Sequence, residues 1–359
     1  MQVTAAVVET ARADFRLETL ELADPAPDEV VVRVAASGIC QTDVHGREDY
    51  FGIPFPCVFG HEGAGVVERV GAAVRKVAPG DRVVMVSPAC GACAACRRRL
   101  PGYCASSRRL KFGGRLRDGR APFQRNAAPI SGAFFQQSSF ATHALATEGN
   151  VVKVPDDLPL AVAAAFACGV NTGAGAVLNV LRPQPGSSIA VFGVGAVGLA
   201  AVMAARIAGC TTIAVFDRHE SRLQVARELG ATEAFDPGTP SPRAFQYSVE
   251  AAGDPAALRQ AVECLAPLGV CCLVGSARKG TDVALEMPFL QQGRTVRGCI
   301  QGDASGDDFL PVLFEHFRAG RMPVERLITF YDFAEVNRAV ADAVKGSTIK
   351  AVLRIGSDL

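Results

Sequence analysis

Short runs of β-branched and other apolar residues, separated by polar and turn residues, dominate the first 90 residues of the chain. Runs of this kind are typical of strands that bury one face. They predict strands at residues 5–8, 30–34, 66–70 and 82–86, and residues 146–154 have the same character. We therefore expect a compact β-rich domain in the N-terminal part of the chain.

The pattern changes after residue 187 to an alternation of apolar strands and helical stretches. Residues 187–192 predict a buried strand, 199–208 an apolar helix and 212–216 the next strand. Further signals follow for strands at 247–251, 269–274 and 294–300 and for a helix at 255–265. This alternation is typical of an α/β, doubly wound parallel sheet.

The C-terminal part indicates that the chain returns to its first domain. Helical patterns at 309–319 and 333–344 precede a last strand at 351–355. We expect a discontinuous catalytic domain, residues 1–165 and 300–359, with a dinucleotide-binding domain, residues 166–299, inserted into it.

A glycine-rich loop follows the strand at 187–192 directly. Its glycines are Gly193, Gly195 and Gly198, and Ala196 and Val197 complete it. In such a loop the first glycine makes a tight turn, the second lets a pyrophosphate approach the backbone and the third packs helix on strand. A strand, this loop, a helix and a second strand together predict a dinucleotide site.

Asp217 ends the second strand, 19 residues after Gly198. A carboxylate at this position accepts hydrogen bonds from the ribose hydroxyls of the adenosine half of the cofactor. It also repels a 2′-phosphate, so we predict NAD as the cofactor. Arg218 beside it leaves some use of NADP open.

Two cysteines and a histidine are candidate ligands of a catalytic zinc ion. They are Cys40, His61 and Cys168, and a catalytic zinc site keeps three protein ligands and one open position. Asp43 and Glu62 are expected to accept hydrogen bonds around the metal, since a ligand histidine donates its other N–H. The alternative is that Cys168 is a small buried apolar residue and His61 is structural.

Four further cysteines lie close together in the sequence. Cys90, Cys93, Cys96 and Cys104 are separated by two, two and seven residues. Four thiolates complete a tetrahedral zinc with no open position, which makes a structural site. An iron–sulfur cluster would use the same ligands, and disulfides are a further alternative. With the first site, this predicts two zinc ions per chain.

The composition limits the classes of protein to be considered. The chain has 49% hydrophobic and 20% charged residues and a net charge of +1, so its overall charge indicates neither nucleic acid nor a membrane. The N-terminus lacks the features of a signal peptide. We find no run of the roughly 18 apolar residues that a membrane span needs. We expect a cytoplasmic protein whose 12 cysteines are reduced or metal-bound.

A basic cluster surrounds the four-cysteine group. Its members are Arg97, Arg98, Arg99, Arg108, Arg109, Lys111, Arg115, Arg117, Arg120 and Arg125. Only Asp118 opposes them within that stretch. A zinc ribbon that binds nucleic acid would look like this. A solvated surface loop or a subunit contact is the interpretation we favour, because the rest of the chain is not basic.

In their joint order these motifs resemble the zinc-dependent, medium-chain alcohol dehydrogenases over essentially the whole chain. The resemblance implies a GroES-like catalytic domain and a Rossmann domain. Residues 134–142, Phe-Phe-Gln-Gln-Ser-Ser-Phe-Ala-Thr, are most similar to the aryl (benzyl) alcohol dehydrogenases and their allylic, geraniol-type relatives.

The resemblance also implies roles for individual residues in the reaction. Cys40, His61 and Cys168 would bind the catalytic zinc, with Glu62 beside it. Thr42 matches the hydroxyl that receives the substrate proton, and His45 matches the histidine that passes this proton to solvent through the nicotinamide ribose.

Cofactor contacts are implied in the same way. Thr172 matches a residue against the nicotinamide, and Arg222 a basic residue near the adenosine ribose. Gln41 and Lys350 stand where relatives of the liver type have arginines on the pyrophosphate. A lysine cannot make the bidentate contacts of an arginine, which predicts a weaker hold on the pyrophosphate.

We therefore expect an enzyme that transfers a hydride between a primary alcohol and NAD and that also reduces the aldehyde. Val86 falls where ethanol-oxidising relatives carry a bulky aromatic residue, which favours aromatic or allylic alcohols. Alternatives are a general-purpose, polyol or formaldehyde-adduct dehydrogenase on the same scaffold, or a catalytically silent NAD-binding protein. The only partners expected are the small alcohol or aldehyde and further copies of the chain, in a dimer or tetramer.

Overall fold

The computed structural model describes residues 1–356. By its internal contacts the chain forms two compact units. The first contains Met1–Cys168, Ser305–Glu315 and the C-terminal segment from Val324, and the second contains Gly169–Ala304 and His316–Pro323. The domain boundaries inferred from the sequence stay a proposal.

The first unit is rich in strands. They are β1 Gln2–Val8, β2 Arg16–Leu22, β3 Glu29–Gly38, β4 Cys57–Val58, β5 Gly63–Val70, β6 Arg82–Met85, β7 Phe123–Arg125, β8 Ala128–Ile130, β9 His143–Thr147, β10 Val151–Lys153, β17 Ile328–Asp332 and β18 Lys350–Arg354. One sheet has the order β4-β1-β2-β7-β8, and the other β10-β6-β5-β3-β18-β17, with β9 also paired to β3.

Strand β3 is the centre of the larger sheet. Every residue in it except Arg33 is buried. Val30, Val32 and Val34 belong to one apolar cluster, while Val31 belongs to another. Because successive side chains point to opposite faces, β3 contributes to a core on each side, which explains why most of its residues are apolar.

The second unit contains one parallel sheet of six strands in the order β13-β12-β11-β14-β15-β16. They are β11 Ser188–Phe192, β12 Thr212–Phe216, β13 Glu233–Phe235, β14 Phe245–Glu250, β15 Leu265–Leu273 and β16 Thr295–Gly298. The strand order reverses between β11 and β14, and ligands of doubly wound sheets bind at this kind of switch point.

The α-helices complete the description. They are α1 Gln41–Arg47, α2 Ala94–Arg97, α3 Ser107–Phe112, α4 Leu160–Ala165, α5 Asn171–Gly175, α6 Ala196–Ile207, α7 Glu220–Leu229, α8 Pro255–Glu263, α9 Met287–Leu290, α10 Gly306–Arg318 and α11 Val336–Lys345. The predicted strands at 5–8, 30–34 and 66–70 lie inside β1, β3 and β5, and the one at 82–86 is β6 without its last residue.

Two helical features bear on the expectations from the sequence. Cys40 is the N-cap residue of α1, a helix that carries Thr42, Asp43 and His45. The helical run Leu160–Leu181 is also long and apolar enough to cross a membrane by length and composition. Because 89% of its apolar window is buried inside the protein, the run has the surroundings of a core helix.

Candidate active site

The first unit brings four predicted site residues together. One ligand atom from each of Cys40, His61, Glu62 and Cys168 lies within 4.8 Å of all the others. Cys40 caps α1, the His61–Glu62 pair directly precedes β5, and Cys168 lies in a π-helical turn, Phe166–Val170. Turns of this kind are frequent at functional sites.

Asp43 holds two of these segments in place. Its Oδ1 lies 2.9 Å from His61 Nδ1 and accepts from the Gly60 N–H at 3.1 Å, while its Oδ2 accepts from the Cys40 N–H at 2.9 Å. Asp43 and His61 are both buried. An Nδ1–H donated to Asp43 leaves the lone pair of His61 on Nε2.

His61 Nε2 is buried and makes no hydrogen bond within residues 1–356. A buried nitrogen of this kind needs a partner, and a divalent metal among two thiols is one that fits. A hydrogen bond from Cys168 holds the pKa of the Cys40 thiol well below its ordinary value. The same bond raises the pKa of Cys168. The donor set therefore fits zinc in ligand type and in mutual distance.

Glu62 lies beside the candidate metal site, but its partner is not His61. Its carboxylate pairs with the buried ammonium of Lys350, and Lys350 also donates to the Ile39 carbonyl at 3.2 Å. Desolvation raises the pKa of Glu62 to about 7, against the opposing charge of Lys350. The predicted contact of Lys350 with a cofactor stays a prediction.

The two residues expected to carry the substrate proton lie on α1. The Thr42 hydroxyl is 3.8 Å from Cys40 Sγ. Residues three apart on a helix share one face, so Thr42 and His45 point to the same side of α1. The imidazole of His45 stacks on the ring of Tyr50 with centroids 4.4 Å apart.

Four phenylalanines form an aromatic cluster beside the candidate metal site: Phe51, Phe112, Phe134 and Phe135. The ring of Phe135 stacks on that of His61 with centroids 4.5 Å apart, and Phe134 meets His61 edge-on at 5.6 Å. Phe112 contacts Phe135 at 5.5 Å and stacks on Phe51 at 4.0 Å. This aromatic cluster belongs to an apolar core and extends from the candidate metal ligand towards the half-exposed Phe51.

The four-cysteine group is also assembled. The Sγ atoms of Cys90, Cys93, Cys96 and Cys104 lie within 4.8 Å of one another, and Cys93 and Cys96 are 3.4 Å apart. Backbone N–H groups donate to them, as from Cys90 to Cys104 Sγ at 3.2 Å. All 12 cysteines are free thiols. A sulfur–sulfur bond needs about 2.05 Å, so this arrangement does not match the disulfide alternative.

In the second unit, the glycine loop has the predicted shape. Gly193 has φ +85°, which favours glycine, and a Cβ on Gly198 would lie 1.9 Å from the Gly193 carbonyl oxygen. Ala196 and Val197 form the first turn of α6. Thr172 is buried in α5, and a Cβ on the adjacent Gly173 would lie 1.9 Å from the Val197 carbonyl oxygen.

Asp217 joins the loop to the start of α7. Its Oδ2 accepts from the Val194 N–H at 2.8 Å and its Oδ1 from the His219 N–H at 2.9 Å, and His219 Nδ1 lies 2.9 Å from Oδ1. Desolvation lowers the pKa of Arg222, which lies on the same helix. His219 was missed in the sequence because its link to Asp217 depends on the turn between β12 and α7.

The basic cluster has intramolecular partners that are remote in sequence. Four of its members form ion pairs with such partners: Arg99 with Asp308, Arg117 with Asp28 at 3.7 Å, Arg120 with Glu29 at 2.9 Å, and Arg125 with Glu18 at 2.9 Å and with Glu9. Arg120 also pairs with the nearby Asp118. Lys111 is buried, with Nζ 5.4 Å from the ring centroid of Phe135. Part of the positive charge seen along the sequence is thus paired with acidic side chains in the fold.

Val86, expected beside the substrate, is buried and lines a cavity together with Cys96, Arg99 and Gly306. This cavity lies on the side of the four-cysteine group. A role for Val86 in the choice of substrate stays a prediction.

Comparisons with known families match both halves of the chain. The family described as alcohol dehydrogenase GroES-like domain matches residues 26–156, and the one described as zinc-binding dehydrogenase matches residues 196–315. A geraniol dehydrogenase of Castellaniella defragrans is 39% identical over 97% of this chain and 96% of its own length.

Solved structures agree with these matches. An alcohol dehydrogenase zinc-binding domain protein of Burkholderia ambifaria is 43% identical, with a TM-score of 0.96 over 99% of both chains. A benzyl alcohol dehydrogenase of Acinetobacter calcoaceticus is 37% identical, with a TM-score of 0.95 over 99% of this chain and 100% of the other.

Proposed function

Because this chain belongs to the zinc-dependent medium-chain alcohol dehydrogenases, we propose that it oxidises primary aromatic or allylic alcohols to aldehydes with NAD, and reduces such aldehydes in the reverse direction. The observation that carries the choice of substrate is the aromatic cluster stacked on His61. The similarity to a geraniol and a benzyl alcohol dehydrogenase supports the same choice.

Two zinc ions are part of the proposal. Cys40, His61 and Cys168 hold the catalytic ion, and the four-cysteine group holds a structural one. When bound, the catalytic zinc supplies a Lewis acid that lowers the pKa of an alcohol hydroxyl. Asp43 fixes the orientation of His61 through Nδ1, as outer ligands do in zinc sites.

The residues of α1 provide the route for the proton. The Thr42 hydroxyl accepts the proton of the alcohol while it gives up its own to a relay that ends at His45 and solvent. Both side chains are half-buried, as residues that link a site to solvent would be. A positioned acid–base group of this kind typically contributes about 10²- to 10⁴-fold to the rate.

The second unit holds the cofactor. The glycine loop and the first turn of α6 receive the pyrophosphate, since a helix N-terminus favours anions. Asp217, with Arg222 nearby, binds the adenosine ribose and selects NAD, and Thr172 lies against the nicotinamide. The nicotinamide, when bound, supplies the hydride acceptor.

Apolar burial gives the scale of the substrate preference. An aromatic ring that removes about 100 Å² of apolar surface from water contributes roughly 2.5 kcal/mol, or nearly 100-fold in kcat/KM. We therefore expect benzyl, cinnamyl and geranyl alcohols to be oxidised about 100-fold more efficiently than ethanol.

The test is a panel of alcohols with NAD, followed by the absorbance of the reduced cofactor. Cyclohexylmethanol is the matched control for benzyl alcohol, because it has similar size without aromaticity or conjugation. Equal efficiency with ethanol and benzyl alcohol would refute the aromatic assignment. Preference for a polyol or a formaldehyde–thiol adduct would identify one of the alternative dehydrogenases.

The assembly and compartment are also proposals. Strand β16 is the edge of the six-stranded sheet and all four of its residues are exposed. A second copy of the chain would cover such an edge, and we propose a homodimer or a tetramer, to be tested by light scattering during gel filtration. The free thiols of both metal sites favour a reducing compartment, the cytoplasm.

A further inference from the structure

The side-chain amide of Gln137 forms hydrogen bonds with main-chain groups on both sides of Glu62. Its Oε1 accepts from the Gly63 N–H at 3.1 Å, and its Nε2 donates to the His61 carbonyl at 3.0 Å. Nε2 also lies 3.4 Å from the Met85 carbonyl oxygen. Gln137 is 1% exposed, so these bonds are shielded from water.

Residues 61–63 are held from the opposite side as well. The Gly38 N–H donates to the Glu62 carbonyl at 3.0 Å. Gln137 therefore pairs with the main chain just before β5 as a neighbouring strand would, because it offers one acceptor to the Gly63 N–H and one donor to the His61 carbonyl. The segment that presents His61 and Glu62 is consequently fixed on both edges.

The segment that carries Gln137 has an uncommon backbone. Ala133, Phe135, Gln136 and Ser138 all have φ between 49° and 52°, although none is a glycine. Such strain persists only where the surroundings determine it, and it concentrates at functional sites. Here it allows Phe135 to stack on the ring of His61 while Gln137, two residues on, binds the main chain of the same histidine.

We infer that Gln137 is a positioning residue of the catalytic metal site. By fixing residues 61–63, it keeps His61 Nε2 and the Glu62 carboxylate facing Cys40 and Cys168. This inference rests on the proposed function, since it presumes that Cys40, His61 and Cys168 bind zinc. It gives the sequence Gln-Gln-Ser-Ser at 136–139 a chemical role besides its likeness to one branch of the family.

The variant Gln137→Met tests this inference. Methionine has a similar volume but provides neither the donor nor the acceptor. We expect the catalytic site to bind zinc about 10- to 100-fold more weakly, the usual effect of losing an outer partner of a metal ligand, and to release it faster. Release from the four-cysteine group should be unchanged. Zinc release to a chromogenic chelator separates the two sites by rate, and the visible spectrum of the cobalt-substituted protein reports the geometry at each.

Gln136→Met is the matched control. Gln136 is the neighbouring buried glutamine, and its amide also binds main-chain carbonyls, those of Leu110 at 3.1 Å and Arg115 at 2.9 Å. Neither carbonyl belongs to residues 61–63. Its substitution should lower the melting temperature without changing the release of catalytic zinc or the cobalt spectrum.

The outcomes separate the inference from the function on which it rests. If wild type binds no metal at the Cys40 site, the proposed function fails. If wild type binds it and Gln137→Met releases it at the same rate with the same spectrum, Gln137 does not position the site. Should Gln137→Met not fold, Gln137→Asn, which withdraws the amide by one methylene, takes its place. If neither folds, rapid hydrogen exchange of the Gly63 amide in wild type would overturn the inference, and slow exchange would uphold it.

Discussion

At the scale of single residues, Asp217 has three neighbours that decide how it recognises a cofactor. Its carboxylate accepts from Val194 and His219, and Arg218 follows it directly. A charge-assisted hydrogen bond contributes about 1.5–3 kcal/mol. Asp217→Gly should therefore lower kcat/KM with NAD by roughly 10- to 100-fold, while use of NADP rises as the repulsion disappears.

The measurement is the ratio of kcat/KM for the two cofactors. Asp217→Asn serves as the control, because it keeps an acceptor for the Val194 N–H but removes the charge. An unchanged ratio in both variants would exclude Asp217 from cofactor selection.

His45 offers a second test at this scale. His45→Ala should slow alcohol oxidation most at low pH, where solvent is a poor base for the proton. We expect a loss of about 100-fold or less, since a relay that ends in water is partly bypassed. His143→Ala is the control, because His143 lies on β9 beside Glu68 and Thr142. A pH–rate profile identical to wild type would remove His45 from the mechanism.

The candidate site shows what residue-level sequence reasoning can reach. The types and spacing of Cys40, His61 and Cys168 were enough to propose a metal site. The hydrogen-bond partner of each polar group could not be predicted in this way, because pairing depends on orientation as well as proximity. Asp43 binds His61 across 18 residues of chain, whereas the adjacent Glu62 turns to Lys350 on a strand near the C-terminus.

At the scale of elements, the proposed structural zinc would stabilise the segment from Cys90 to Cys104 more than its packing does. The helix within it, α2, has no buried residue. A segment with so little apolar contact derives its folding free energy largely from metal binding. Cys93→Ser should therefore lose one of two zinc ions per chain and lower the thermal stability of the enzyme.

Cys40→Ser should lose the other zinc ion and abolish turnover while the chain stays folded, since Cys40 caps a helix that also packs through Val44. Metal content by mass spectrometry and melting temperature measure both effects. Cys210→Ser, a half-buried cysteine of the second unit, should retain two zinc ions. One zinc ion or none in freshly purified, reduced wild type would contradict both expectations.

Some strands and helices could be predicted from the sequence more readily than others. Strands β3 and β11 are buried along nearly their whole length, so their apolar runs stand out. Strand β2 buries only Leu20 and Leu22, and its charged residues interrupt the apolar pattern that would have predicted it. Helix α1 was missed because its residues are mostly polar and carry chemistry, so no apolar period marks it.

At the scale of the whole molecule, the alternation of strand and helix was sufficient to predict a parallel doubly wound sheet, and the fold class is confirmed. The order of strands in the first unit could not be predicted from the sequence. It places β18 between β3 and β17, although β3 and β18 lie at opposite ends of the sequence. No local sequence pattern predicts that two strands so far apart in the chain will pair.

The position of β18 sets an order of events during synthesis. All six strands of the second unit lie between residues 188 and 298, so they can pair while the last strand is still being translated. Residues 36–38 of β3, by contrast, can pair only after Val352–Arg354 have been synthesised. The Ile39 N–H likewise lacks its acceptor until the Ala351 carbonyl is present. Since Cys40 follows directly, a strand made more than 300 residues later completes the support of a candidate metal ligand.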